Sequence, residues 1–222
     1  HAPGAGRVLR SGWDACTLRP EVARDAARVR EIRQAIIAGL GDAPDAATVT
    51  FFAGLLGNRN SSEYWQNIIA AAGNIRTEAA RMLVVAQSRP GLLPQQEARL
   101  LASAVTNGAL LPLDFLERAL ADRIGSPAQV LKALQAHPWA DVRHVFLRLL
   151  NGAFRPDLES AAVIAAACGD NNETAAALAL GRRLGEDPDS EIAPLWIEAL
   201  GVIGTRAEVA VLEDIGARGL PG

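Results

Sequence analysis

The sequence predicts an all-α chain, a right-handed α–α superhelix of about five or six stacked helix pairs. Three observations predict it. The 222 residues are 50% hydrophobic but only 5% aromatic, so Ala, Leu, Val and Ile carry the apolar weight. Ala and Leu favour helix, and small Ala lets helices approach closely. Apolar residues recur every three or four positions over segments of about ten to sixteen residues, and no long stretch alternates like a half-buried strand. Short Gly, Pro and Asn turns separate these segments, which places successive helices antiparallel and adjacent. About a dozen such helices do not share one bundle core, so they stack. A chain of this length buries enough surface to fold without a disulfide or a metal.

Residues 1–19 contain Gly, Pro and Arg with no clear period, and read as an irregular arm pinned by Trp13 and Leu18. Residues 20–218 read as a single helical-repeat domain. Pro20 suits a first helical position. Val22, Ala26, Val29, Ile32, Ile36 and Leu40 then mark one buried face, and Gly39 and Gly41 mark its end. Arg24, Arg28, Arg30 and Arg33 fall largely on the opposite face among Glu21, Asp25 and Glu31, which predicts a self-paired charged surface. Helices follow at about 45–56, 62–72, 75–88, 94–107 and 112–125, with Gly57-Asn58-Arg59-Asn60-Ser61 as a turn. Ser126-Pro127-Ala128-Gln129 reads as a helix start with a capping box. Pro138 stops that helix at His137. The remaining helices fall near 139–151, 157–168, 172–185, 190–201 and 206–216.

The clearest single unit is Pro138 to Gly152. Pro138 opens it, Trp139-Ala140-Asp141-Val142-Arg143 forms the first turn, Phe146, Leu149 and Leu150 make the stripe, and Asn151-Gly152 closes it. Ala199-Leu200-Gly201-Val202-Ile203-Gly204, followed by Glu208-Val209-Ala210-Val211-Leu212, is a second such boundary. Leu178-Ala179-Leu180-Gly181 is a weaker one. In these stretches, over about residues 126–218, the chain resembles the HEAT repeats of α-solenoids, a HEAT/armadillo-like stack. The resemblance implies that Asp141 and Arg143 tie neighbouring turns together. Phe146 departs from it, standing where a small residue is usual.

Composition excludes several function classes. A net charge of −3 argues against a nucleic-acid partner, whose binding domain is usually basic on one face. Lys132 is the only lysine, and the excess of Arg travels with that of Ala and Gly, as the codon bias of a GC-rich genome would produce. Cys16 and Cys168 lack CxxC or Cys/His spacing, so no zinc site is expected and two buried free thiols are. His137 and His144 are seven apart, but Pro138 breaks the helix between them. No GxSxG and no phosphate loop occurs. No cofactor is implied. No apolar run reaches the roughly eighteen residues of a membrane span. The chain starts His-Ala-Pro without Met and reads as a processed product. It is expected to be soluble, with an exported or periplasmic location slightly ahead of a cytoplasmic one.

The residues left as binding candidates are Trp65, Trp139, Arg143 and Trp196, because Trp and Arg are favoured at interface hot spots. They point to a non-enzymatic scaffold that takes a protein or peptide partner on the concave face of a solenoid. Two alternatives stand beside it. Trp139, Asp141 and Arg143 are also the residue types with which HEAT-like DNA glycosylases remove alkylated bases, although so acidic a chain fits phosphate neutralisation poorly. A helical accessory domain of an exported cell-wall enzyme is the other.

Overall fold

The computed structural model describes residues 4–18, 24–204, 213, 216 and 217. Helix is the only regular structure among them, as the composition predicts: twelve α-helices and two 3-10 turns. None is long and apolar enough to cross a membrane. The chain divides into two compact units, His1–Gly125 and Ser126–Gly222.

The first unit holds α1 (Ala5–Leu18), α2 (Ala26–Asp42), α3 (Thr48–Gly57), a 3-10 turn (Arg59–Tyr64), α4 (Trp65–Gly73), α5 (Glu78–Val85), α6 (Pro94–Asn107) and α7 (Leu113–Ala121). Local chemistry sets the ends. Asp25 and Thr77 accept hydrogen bonds from the Arg28 and Ala80 N–H groups and so cap α2 and α5. Pro94 occupies the first turn of α6, and Gly108 closes that helix at φ +75°, a conformation glycine adopts without penalty. Helix α4 is the centre: it packs against α2, α3, α5 and α6 and buries Trp65, Ile68, Ile69, Ala71, Ala72 and Gly73. Alternate helices α2, α4 and α6 lie side by side, the neighbour relation of a helical repeat.

Two expectations fail here. Residues 5–18 form a helix rather than an irregular arm. Gly6 and Gly12, which break the sequence pattern, are contact positions. A Cβ at Gly6 would meet the Asp45 carboxylate, and one at Gly12 would touch Ile36. With them, Trp13 and Cys16 bury one face while Arg10 pairs with Asp45 across to the start of α3. Leu18 pins nothing, being 78% exposed. Gly39 and Gly41 stand in the last turn of α2, as expected. The helix runs on to Asp42, and Gly41 sits where α2 meets α4, so a Cβ there would lie 2.9 Å from Ala71 Cα. Gly73 repeats the arrangement one layer on, against Ser103 of α6. The Pro20 helix start lies outside the described residues.

The second unit holds α8 (Pro127–Gln135), α9 (Trp139–Asn151), α10 (Leu158–Asp170), a 3-10 turn (Thr174–Ala176), α11 (Ala177–Glu186) and α12 (Ala193–Ile203). Helix α9 matches its expected bounds. Ser126 makes no side-chain cap, so the expected capping box is absent, and Pro127 alone marks the start of α8. Asp157 caps α10 through the Ser160 N–H at 2.8 Å. Helices α8, α10 and α12 form one row, while α9 packs on α11. The expected helix at 206–216 falls almost wholly outside the described residues.

The two close approaches should be measurable. Gly41→Ala and Gly73→Ala each force a methyl to 2.9 Å from a backbone Cα, of Ala71 and Ser103 respectively, and should destabilise the protein by about 1–3 kcal/mol. Gly54→Ala, in α3 with nothing within 4 Å, should instead add about 0.5–1 kcal/mol. Urea unfolding of the three variants gives the comparison.

Candidate functional site

Trp65 is a core residue of the first unit, 7% exposed, and its indole N–H donates to Gln87 Oε1 at 3.1 Å. Trp139, Arg143 and Trp196 lie in the second unit, around the two ends of α9. Thirteen residues at about 1.5 Å each separate those ends by roughly 20 Å.

At the N-terminal end, Trp139 and Arg143 meet on Glu173. The Trp139 indole N–H donates to Glu173 Oε2 at 3.0 Å. Arg143 donates from Nε to Oε2 at 2.5 Å and from Nη2 to Oε1 at 2.9 Å. The Ala175 N–H adds a fourth bond to the same carboxylate at 3.2 Å. The side chain of Glu173 is only 7% exposed, so this bidentate pair is half-buried and geometrically fixed. Trp139 also packs on Phe146, with ring centroids 5.3 Å apart, which gives that large residue its place. Glu173 was not among the residues picked out in the sequence. Asn172, at φ +47°, turns the chain in the left-handed region just after α10, and the Glu173 N–H closes onto the Cys168 carbonyl at 2.9 Å. The signal was there as Asn171-Asn172-Glu173, a turn that Asn tolerates, followed by an acid. Arg143 thus joins neighbouring segments, as the repeat resemblance implies, but its partner is Glu173. Asp141 is exposed.

Charge follows from this geometry. The Arg143 hydrogen bonds hold the Glu173 carboxyl below the ordinary glutamate range. Burial opposes them, and the Trp139 and Ala175 donors assist. The nearby Cys168 thiol is pushed up to about 12, by burial first and by the Glu173 charge second. A thiol so rarely ionised is no nucleophile. Cys16 and Cys168 are both free and buried.

At the other end of α9 the last carbonyls are met by a buried arginine. Arg183, 8% exposed, donates from Nε to Leu150 O at 3.0 Å and from Nη2 to Leu149 O at 3.0 Å and Gly152 O at 2.8 Å. It satisfies carbonyls that have no partner within the helix, and its charge meets the negative end of the helix dipole. No carboxylate of a described residue forms an ion pair with it. Burial pulls its pKa down, Arg155 and Arg182 add to the shift, and the charge of Glu186 opposes it.

Beside Arg183 is a cavity of about 320 Å³ lined by Arg155, Pro156, Arg183, Glu186, Asp187, Ser190, Ile192 and Trp196. Trp196 is itself 4% exposed and forms part of its wall. Arg155, with a 72% exposed side chain, stands at the rim 3.6 Å from Glu186. One of the four expected residues, Trp196, therefore lines a cavity together with two guanidinium groups. The first unit has larger clefts, in which Asp45 pairs with Arg10 and buried Glu97 with Arg118. Among the described residues no cluster of His, Cys, Asp or Glu could hold a metal.

The acid limb of stability should report the Glu173 pair. A carboxyl whose folded pKa is depressed stabilises the fold above its unfolded pKa. That contribution disappears as pH falls through the folded value. Arg143→Ala removes the largest cause of the depression, so the variant should be less stable than the wild type at neutral pH and should lose less stability on acidification. Urea midpoints between pH 7 and pH 3 should show the two curves separating at the neutral end and converging at the acid end.

No protein-family model matches the chain, and no curated protein or solved structure matches it either.

Proposed function

We propose that this chain is a non-enzymatic binding module, a helical repeat of the HEAT kind that takes a peptide segment of a partner protein. The observation that carries the reading is the cavity at the C-terminal end of α9. There a buried arginine held by main-chain carbonyls, a tryptophan and a rim arginine line one space. Trp and Arg in a partly desolvated recess are the chemistry of interface hot spots, and a site of this kind argues for function where fold class does not. A glycosylase would need Trp139 and Arg143 for its substrate, whereas here Glu173 holds the indole N–H and two of the guanidinium nitrogens. The neighbouring thiol, raised to about 12, offers no covalent chemistry.

Selection from random peptides displayed with either end free tests the reading. Sequences should be enriched on the wild-type chain, and Arg155→Glu should reduce their retention about tenfold, in line with loss of a contributing Arg. Enrichment of nothing from either display format would sink the proposal.

A further inference from the structure

We infer that the cavity beside Arg183 binds the C-terminal end of a peptide, taking its free carboxylate and its apolar last side chain together. The inference rests on the peptide-binding reading above and specifies which part of the peptide is held. Four features of the site lead to it.

The first is an unused donor. Arg183 directs Nε and Nη2 at the carbonyls of Leu149, Leu150 and Gly152. Among the described residues Nη1 makes no hydrogen bond. An arginine more than nine-tenths buried thus lines the cavity while its Nε and Nη2 are fixed by main-chain carbonyls. A guanidinium held this way loses little freedom on binding a carboxylate.

The second is size. About 320 Å³, open to solvent, is room for a large terminal residue whose chain leaves the cavity. The third is the mixed wall. Trp196, Ile192 and Pro156 are apolar and lie in the same small space as Arg183. A terminal residue carries its carboxylate and its side chain on one Cα, so it satisfies both walls at once. An internal Asp or Glu would meet the guanidinium and leave the apolar wall wet.

The fourth is charge balance. Glu186 and Asp187 line the cavity with Arg155 and Arg183, and Glu186 is already shared between Arg155 at 3.6 Å and Arg182 at 3.9 Å. A doubly charged anion such as phosphate would face two carboxylates. A single carboxylate with a backbone N–H beside it suits the site better, because that N–H can donate to Asp187. Arg155 at the rim, 72% exposed, is placed to meet the ligand from the solvent side.

Fluorescence polarisation on the full chain tests this with labelled hexapeptides ending in Phe, Leu or Asp, each as the free acid and as the C-terminal amide. The free acids ending in Phe and Leu should bind, and amidation should weaken them at least tenfold. Asp-terminated peptides should bind worse than both. Arg155→Glu should weaken the free acids and leave the thermal midpoint and circular dichroism unchanged, since its side chain is exposed. Unlabelled N-acetyl-phenylalanine should compete only weakly; competition as strong as that of the peptides would overturn the peptide end as the ligand. Amides binding as well as acids would overturn the inference and leave the peptide-binding reading standing. No binding by any hexapeptide at millimolar concentration would remove both. Binding insensitive to Arg155→Glu would overturn the assignment of this cavity.

Discussion

Close approach of helix backbones is the constraint on which this structure depends. A chain with so few aromatic residues cannot fill wide gaps between helices, so its helices must come near one another. In the first unit Gly41 meets Ala71, and Gly73 meets Ser103, at distances that leave no room for a methyl group. Those two contacts tie α2 to α4 and α4 to α6, and they make the short helix α4 the shared centre. Where spacing does widen, the rare large residues gather. Trp13 packs edge-on against Phe51 and Tyr64, with the Arg33 guanidinium 4.6 Å above its ring. Such clusters exist because close packing elsewhere displaces them to a few places.

In the second unit, buried charge takes over part of the role that small residues play in the first. Glu173 and Arg183 are both more than nine-tenths buried, and each bonds to a neighbouring segment. They act at opposite ends of the same helix, α9. Glu173 receives Trp139 and Arg143 from its first turn, and Arg183 donates to carbonyls at its last turn and exit. Helix α9 is therefore fixed at both ends by long-range polar contacts. Burying charge costs free energy unless its hydrogen bonds are made. Glu173 makes all of its own within the protein. Arg183 does not, and this difference separates a structural knot from a candidate site.

The fold class was legible in the sequence because helix periodicity and turn residues are local signals. Helix α9 carried every such signal, from Pro138 to Gly152, and its bounds came out as expected. Helix α1 carried them too, but Gly6 and Gly12 disguised the pattern. A glycine that breaks a helix and a glycine that lets another segment close in look the same in one dimension. The site was less legible still. Trp139 and Arg143 stood out by residue type, yet the carboxylate that engages both is thirty residues beyond Arg143, in a turn. Arg183 was overlooked inside Arg182-Arg183, though its spacing from Ala176, Ala179 and Leu180 puts it on the buried face of α11. A charged residue on an apolar helical stripe is the one-dimensional mark of such a group.

The two ends of α9 also show why residue type alone ranks sites poorly. Trp139 and Arg143 are as good a hot-spot pair by composition as Trp196 and Arg183. What distinguishes them is bookkeeping of donors. Glu173 takes the Trp139 N–H and two of the Arg143 nitrogens, so a ligand there would have to displace a buried carboxylate and leave it unpaired, at a cost of several kcal/mol by the usual reckoning for such groups. Beside Arg183 no such carboxylate has to be displaced, because main-chain carbonyls hold the guanidinium through Nε and Nη2. The same residue can therefore cap a helix and receive a carboxylate without losing either role, and the rigidity required for the first prepares the second.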